Sequence, residues 1–259
     1  MKHCLIILNL FLLLLVAACT PKSDQKPSSL KQAEKMAGEI KPVANLMDPF
    51  AEKELGQKLF AQALKTYPLY ENTKLSRFIN RVGAHVSIPS RRNLAYAFYI
   101  LDTPEIFSMG LPAGHVLLSR GLLKHVDNES ELAGILGVEI ANIEQQFFVQ
   151  SIQNKNNPDA AQAFQLLRDG RFTDGQINTA DRLGMTYAQH FGYEPALFNS
   201  FLVRLGASLS GKKEITGSYN QGILDHRQSM GALYVQNLAK HQEHFPKAKN
   251  NFETYKSLF

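Results

Sequence analysis

The stretch from Asn128 to about Gln150 constrains the fold most, because its apolar residues recur at helical spacing and predict one long helix. Glu139 falls on the same inward face, and a buried carboxylate is costly unless it is paired, protonated or functional. Gly134 and Gly137 each cost roughly 1 kcal/mol relative to alanine inside a helix, which indicates close packing there. The apolar stripe consists of Leu132, Ile135, Leu136, Ile143 and Phe147.

Helical periodicity and short alternating segments predict the fold class. Alternation in 96–100 and the apolar run His115–Ser119 predict two strands, with a turn at 111–114 between them. The expected fold is therefore α+β, mainly helical, with a small sheet beside the long central helix. Further helices are predicted to begin near Pro49, Thr73, Asp159, Gln176, Pro195 and Ile223.

The first eighteen residues have the layout of a bacterial export signal. Lys2 and His3 precede an apolar run, Leu5 to Val16, that is too short for a comfortable membrane span. Val16 to Cys19 resembles the lipobox that signal peptidase cuts just before its cysteine. Cleavage there would leave Cys19 as an acylated first residue carrying palmitate, whereas a buried cysteine in an uncleaved helix is the alternative.

Three regions follow from this division: a lipoprotein signal peptide (1–18), a lipidated flexible tether (19–47) and one folded domain (48–259). The tether is predicted from its Lys, Ser, Pro, Gln and Glu content and its few large apolar residues. Thr20 after the cysteine favours anchoring in the outer membrane, facing the periplasm, if the host is Gram-negative. The formal charge of +5 is scattered, with no aromatic-interleaved basic stripe, so nucleic acid is not an expected partner.

Short motifs follow one another in a fixed order: Ala51–Gly56, Phe78–Gly83, Asp102–Ile106, Leu111–Val116, Ser119–Leu123, Glu129–Ala133, Ala180–Gly184 and Phe191–Pro195. In this order they resemble the gluzincin metallopeptidases of the HtpX heat-shock protease and CAAX prenyl protease type, metallopeptidase family forty-eight. The chain looks most like the periplasmic members associated with the outer membrane. The resemblance runs from about Pro49 to about Leu238 and implies a zincin-like domain.

In that family the central helix carries HExxH, whose histidines hold zinc while the glutamate activates the metal-bound water. Here Val138 and Asn142 stand at the histidine positions, and only Glu139 is retained. The family's third ligand is a glutamate four residues before the aspartate that corresponds to Asp181, and that position is Ile177. Aliphatic side chains have no lone pair to donate, and a neutral amide is a poor zinc ligand. The resemblance therefore implies an emptied site, with no zinc, no other cofactor and no catalytic residue.

Glu139 then needs another reason to be retained. We expect it to pair with His226, which matches a histidine that the family places near its active site, or with a nearby arginine such as Arg227 or Arg182. Asp181, which the family uses to support the site, is expected to be a structural hydrogen-bonding residue.

The predicted function is that of a metallopeptidase-like pseudoenzyme that binds polypeptide or an envelope protein partner. The segment His115–Ser119 is the expected edge strand that takes a peptide as an added strand. The resemblance implies a chaperone-like or assembly and quality-control role. Two alternatives stay open: an active metalloendopeptidase with a relocated site at Glu139, Asn142 and His226, and a carboxylate-based envelope hydrolase using Glu139 with Asp181.

Overall fold

The computed structural model describes residues 46–153, 158–170, 172–211, 217–240 and 250–258. The predicted signal peptide, Cys19 and all but the last two residues of the predicted tether lie outside the described residues. Leu46 already bonds to the domain: its N–H donates to Gln146 Oε1 over 3.1 Å, and its carbonyl accepts from Gln153 Nε2 over 2.7 Å. No helix in the described part of the chain is both long enough and apolar enough to cross a membrane.

The described residues form a mainly helical α+β fold with one small mixed sheet, which confirms the predicted fold class. The strands are β1 (Ala97–Leu101), β2 (Ser108–Leu111) and β3 (His115–Ser119). Short 3-10 turns occur at Pro112–Gly114 and Gly217–Tyr219. The helices are α1 (Pro49–Thr66), α2 (Thr73–Ser87), α3 (Arg120–Leu123), α4 (Glu129–Glu144), α5 (Phe147–Gln153), α6 (Ala160–Arg168), α7 (Asp174–His190), α8 (Pro195–Leu209), α9 (Gln221–Lys240) and α10 (Glu253–Lys256).

Side-chain caps explain where several helices begin. Asp48 accepts hydrogen bonds from the first N–H groups of α1, and Asn72 accepts one from Leu75 N–H at the start of α2. Thr173 and Gln176 form a reciprocal capping box that starts α7 two residues before the predicted position. These caps satisfy N–H groups that have no partner within the helix.

The central helix is shorter than predicted, because α4 ends at Glu144 instead of continuing to Gln150. Gln146 has a φ of +53°, a left-handed conformation that a helix cannot contain, and α5 begins only after it. Gln146 is 1% exposed and its side chain accepts the N–H of Leu46. A tertiary contact thus stabilises a break that the apolar stripe alone does not reveal.

The sheet order is β1-β3-β2, so β3 is the central strand. β3 pairs in parallel with β1 and antiparallel with β2. The expectation that His115–Ser119 is an edge strand is therefore wrong. Val116, Leu117 and Leu118 have no exposed surface, and a continuous apolar run is typical of a strand covered on both faces. The edge next to α4 is β2, which was not predicted as a strand.

Two helices cover α4 at close range, as its glycines predicted. A Cβ added at Gly137 would lie 2.5 Å from the carbonyl oxygen of Gly184 on α7. A Cβ at Gly134 would overlap the ring of Phe198 on α8. Because Gly137 and Gly184 have no side chains, the backbones of α4 and α7 are in contact. This contact holds Val138 and Ile177 in the protein interior, where they are 7% and 8% exposed.

Motifs that are distant in sequence bond to each other in the fold. Tyr193 donates a hydrogen bond of 2.8 Å to Glu129, and Glu194 N–H donates one of 3.1 Å to Ser130 Oγ. These two bonds join the start of α4 to the turn that precedes α8. The motif residues thus hold the scaffold in which the candidate site lies.

Candidate functional site

The candidate site lies where α4 packs on β2, and its centre is the carboxylate of Glu139. This residue is 3% exposed. Ser108 Oγ donates to Oε1 over 2.6 Å, and Asn142 Nδ2 donates to Oε2 over 3.1 Å. Burial raises the pKa of Glu139, whereas the hydrogen bonds from Ser108, Asn142 and the Gly110 N–H and the charge of Arg227 oppose that rise.

A tyrosine from a distant part of the chain completes this cluster. Tyr219, on the 3-10 turn that precedes α9, places its hydroxyl 2.9 Å from Ser108 Oγ. It is 2% exposed, and burial raises its pKa to about 12. We call Glu139, Ser108, Asn142 and Tyr219 the Glu139 network. In it, polar side chains of α4, β2 and the 217–219 turn satisfy one another in the protein interior.

A buried ion pair holds α9 against α7 beside this network. Arg227 Nε lies 2.9 Å from Asp181 Oδ2, and Arg227 Nη2 lies 2.7 Å from Oδ1, so the pair is bidentate. Asp181 is 4% exposed and Arg227 2%. Arg227 Nη1 also donates to the carbonyl of Ser218 over 3.1 Å. The ion pair therefore positions the turn that carries Tyr219.

The predicted pairing of Glu139 with His226 is wrong. His226 Nε2 lies 2.9 Å from Asn178 Oδ1 on α7, while Glu139 is bonded within its own network. The reason is helical geometry: the adjacent Arg227 points into the interior toward Asp181, so His226 lies about 100° round α9 at a half-buried position. Of the arginines considered as partners, Arg227 acts on Glu139 through its charge.

Two residues of this site, Ser108 and Tyr219, were not predicted from the sequence. Ser108 lies in a four-residue strand that lacks a clear alternating pattern, and Tyr219 follows a segment with no periodicity. Their partnership spans 111 residues of sequence. No local pattern reports such a contact.

The residues at this site do not fit zinc. Within the described ranges, no group of three or more His, Cys, Asp or Glu side chains lies close enough to hold a metal ion. Val138 and Ile177 have no donor atom, and both Glu139 oxygens already accept hydrogen bonds. Asp181 is bound to Arg227, so Glu139 and Asp181 do not form a pair of accessible carboxylates either.

Residues 70–169 match the model of Peptidase family M48. Over these residues the chain is similar to the M48 peptidases. The match covers the sheet, α2, α4 and the helices up to α6, and it confirms the family resemblance drawn from the motifs.

The chain is also similar to curated M48 relatives. It is 25% identical over 181 residues to the beta-barrel assembly-enhancing protease of Yersinia pestis, and 24% identical over the same length to that of Escherichia coli strain K12. A putative beta-barrel assembly-enhancing protease of Vibrio cholerae is 24% identical over 152 residues. The first two alignments cover 60% of this chain and 37% of each relative, so the chain spans well under half of their length.

Proposed function

We propose that this chain is a non-catalytic M48-domain protein that binds polypeptide during the assembly of outer-membrane β-barrel proteins. One observation carries the proposal: the family's catalytic glutamate, Glu139, is buried and bonded within the Glu139 network, while Val138 and Ile177 occupy ligand positions. A buried, hydrogen-bonded carboxylate is held as part of the structure and is not presented to a substrate.

The chemistry of peptide hydrolysis supports this proposal. An M48-type site activates water by lowering its pKa to about 7 through a zinc ion held by three protein ligands. The side chains of Val138 and Ile177 cannot donate to a cation, and the amide of Asn142 is bonded to Glu139. A carboxylate alone does not make water a sufficient nucleophile for an amide bond.

The proposed partner class comes from the relatives, whose names describe proteases that enhance β-barrel assembly. The retained M48 scaffold would bind unfolded or partly assembled polypeptide without cleaving it. Acylation of Cys19 and outer-membrane anchoring facing the periplasm complete the proposal, and they rest on the lipobox and on Thr20.

The central experiment measures metal binding and cleavage on the full chain. The purified protein is expected to contain no stoichiometric zinc and to leave casein intact, with or without added zinc. The triple variant Val138→His, Asn142→His, Ile177→Glu is expected to bind zinc, because it restores three donors on α4 and α7. Stoichiometric metal in the wild type, with cleavage that a chelator abolishes, would instead establish an active metalloendopeptidase with an unorthodox site.

Anchoring is tested separately. Mass spectrometry of the exported protein should show a lipid-modified residue at position 19, and the wild type should fractionate with outer membranes. The Cys19→Ser variant should lose the modification. A wild-type protein with an unmodified, uncleaved start would contradict the lipid anchor and leave the binding function untouched.

A further inference from the structure

The segment formed by residues 250–258 is held against the fold by two aromatic side chains. Phe252 has no exposed surface, and its ring centroid lies 6.1 Å from that of Phe78 on α2. Tyr255 stacks on the same Phe78 ring, with centroids 4.0 Å apart. Two aromatic residues three positions apart thus pack on one side chain of α2, and such buried aromatic contacts supply much of the binding energy in peptide recognition.

Polar contacts fix the register of the same segment. Asn250 Oδ1 accepts the N–H of Glu129, one of the N–H groups that α4 leaves without a helical partner. Asn251 N–H donates to Glu129 Oε2 over 3.1 Å. Lys256 Nζ lies 3.0 Å from Asp127 Oδ1. Both the backbone and the side chains of the segment are therefore recognised, as in a bound peptide.

The Glu139 network offers no comparable place for a polypeptide. Ser108 bonds to both Glu139 and Tyr219, and these three side chains are between 2% and 7% exposed. Polypeptide binding, if the proposed function holds, needs another surface. The surface under the 250–258 segment is one where this domain already holds a short stretch of chain.

We infer that the surface formed by Phe78, Asp127 and Glu129 is a polypeptide-binding site, and that the 250–258 segment occupies it as an internal competitor. This inference rests on the proposed function. The ligand class is a peptide with two aromatic residues three positions apart, a carboxamide residue just before the first and a basic residue just after the second. A covalently attached competitor has an effective concentration on the order of millimolar, so an outside peptide must displace it.

The test uses the full chain and a fluorescein-labelled peptide with the sequence of residues 250–258, followed by fluorescence anisotropy. The Phe252→Ala variant should bind the labelled peptide on the order of tenfold more tightly than the wild type, because its own segment competes less well. Thr254→Ala is the matched control, since Thr254 is exposed in the same segment, and its affinity should equal that of the wild type. A peptide with alanine at both aromatic positions should bind none of these proteins.

A second variant, ended after residue 249, removes the competitor, and circular dichroism and thermal melting report the folding of every variant. Folded variants that bind the labelled peptide no better than the wild type would overturn the inference. Unfolding of both Phe252→Ala and the shortened chain would also overturn it, because the segment would then be a permanent part of the core. If unfolded β-barrel polypeptide binds the wild type and the 250–258 peptide does not compete with it, the proposed function stands and this inference is refuted. Failure of the wild type and of both variants to bind either ligand would refute both.

Discussion

Ser108 Oγ lies 2.6 Å from Glu139 Oε1, and this hydrogen bond joins the edge strand β2 to the central helix α4. In a metallopeptidase of this family the equivalent glutamate acts on a metal-bound water. Here the carboxylate binds a side chain of its own protein, and Tyr219 bonds to the same serine. In this chain the side chain at that position is part of a contact among three elements of the scaffold.

Replacing Ser108 with alanine should destabilise the fold. The substitution removes one hydrogen bond from Glu139 and one from Tyr219, both buried, and an unsatisfied buried polar group costs about 1–3 kcal/mol. Urea unfolding should show a loss of that size. Ser200→Ala, at an exposed serine on α8, is the control and should change the free energy of unfolding by less than about 0.5 kcal/mol. Equal effects of the two substitutions would contradict a structural role for the network.

Loss of one partner of the Asp181–Arg227 pair should lower the free energy of unfolding more than loss of both partners. Asp181→Leu leaves the Arg227 guanidinium buried without its counter-ion, which costs about 3–5 kcal/mol in comparable pairs. The double variant Asp181→Leu, Arg227→Met removes both charges and should recover a large part of that loss. A double-mutant cycle of urea unfolding measures the difference. Simple additivity of the two single effects would show that the pair is not coupled.

The contact between α4 and α7 predicts the effect of a single methyl group. A Cβ at Gly184 would lie 2.5 Å from Val138 N, so Gly184→Ala should force the helices apart and cost about 1–3 kcal/mol. Gly175, on the same helix, has nothing closer than Thr173 Oγ1 at 4.0 Å. Gly175→Ala should therefore be neutral or stabilising by up to about 1 kcal/mol. Thermal or urea unfolding compares the two, and a neutral Gly184→Ala would refute the close helix contact.

Helices were predictable from the sequence because their signals are local. Pro49, Thr73 and Pro195 begin helices as predicted, since a cap or a proline precedes or opens an apolar periodic run in each case. The Gly134 and Gly137 contacts were also predictable, because glycine within a helix usually has a packing reason. Such features depend on residues within one or two helical turns.

The features that the sequence did not reveal depend on distant contacts. β2 has four residues and takes its identity from pairing with β3, and the order of strands in a sheet is a tertiary property. Glu139 bonds to a serine 31 positions earlier in the sequence. His226 does not bond to it, because Arg227 takes the inward position on α9. The family motif identifies the glutamate but not the groups that bind it.

The burial of Glu139 predicts that the stability of the fold depends on pH. Burial raises its pKa above the ordinary value of 4.5, so the folded state keeps a proton that the unfolded chain loses first. The stability contributed by this group is therefore complete below about pH 4.5 and is lost as the pH rises through the raised pKa, with a slope of up to about 1.4 kcal/mol per pH unit.

Glu139→Gln cannot ionise, so its free energy of unfolding should increase relative to the wild type as the pH rises from 4.5. Urea unfolding from pH 4.5 to 8 measures this, with the exposed Glu71→Gln as control, whose difference from the wild type should not increase in this way. A difference for Glu139→Gln that falls with rising pH would mean that the hydrogen bonds from Ser108 and Asn142 outweigh burial, and that the carboxylate is held ionised.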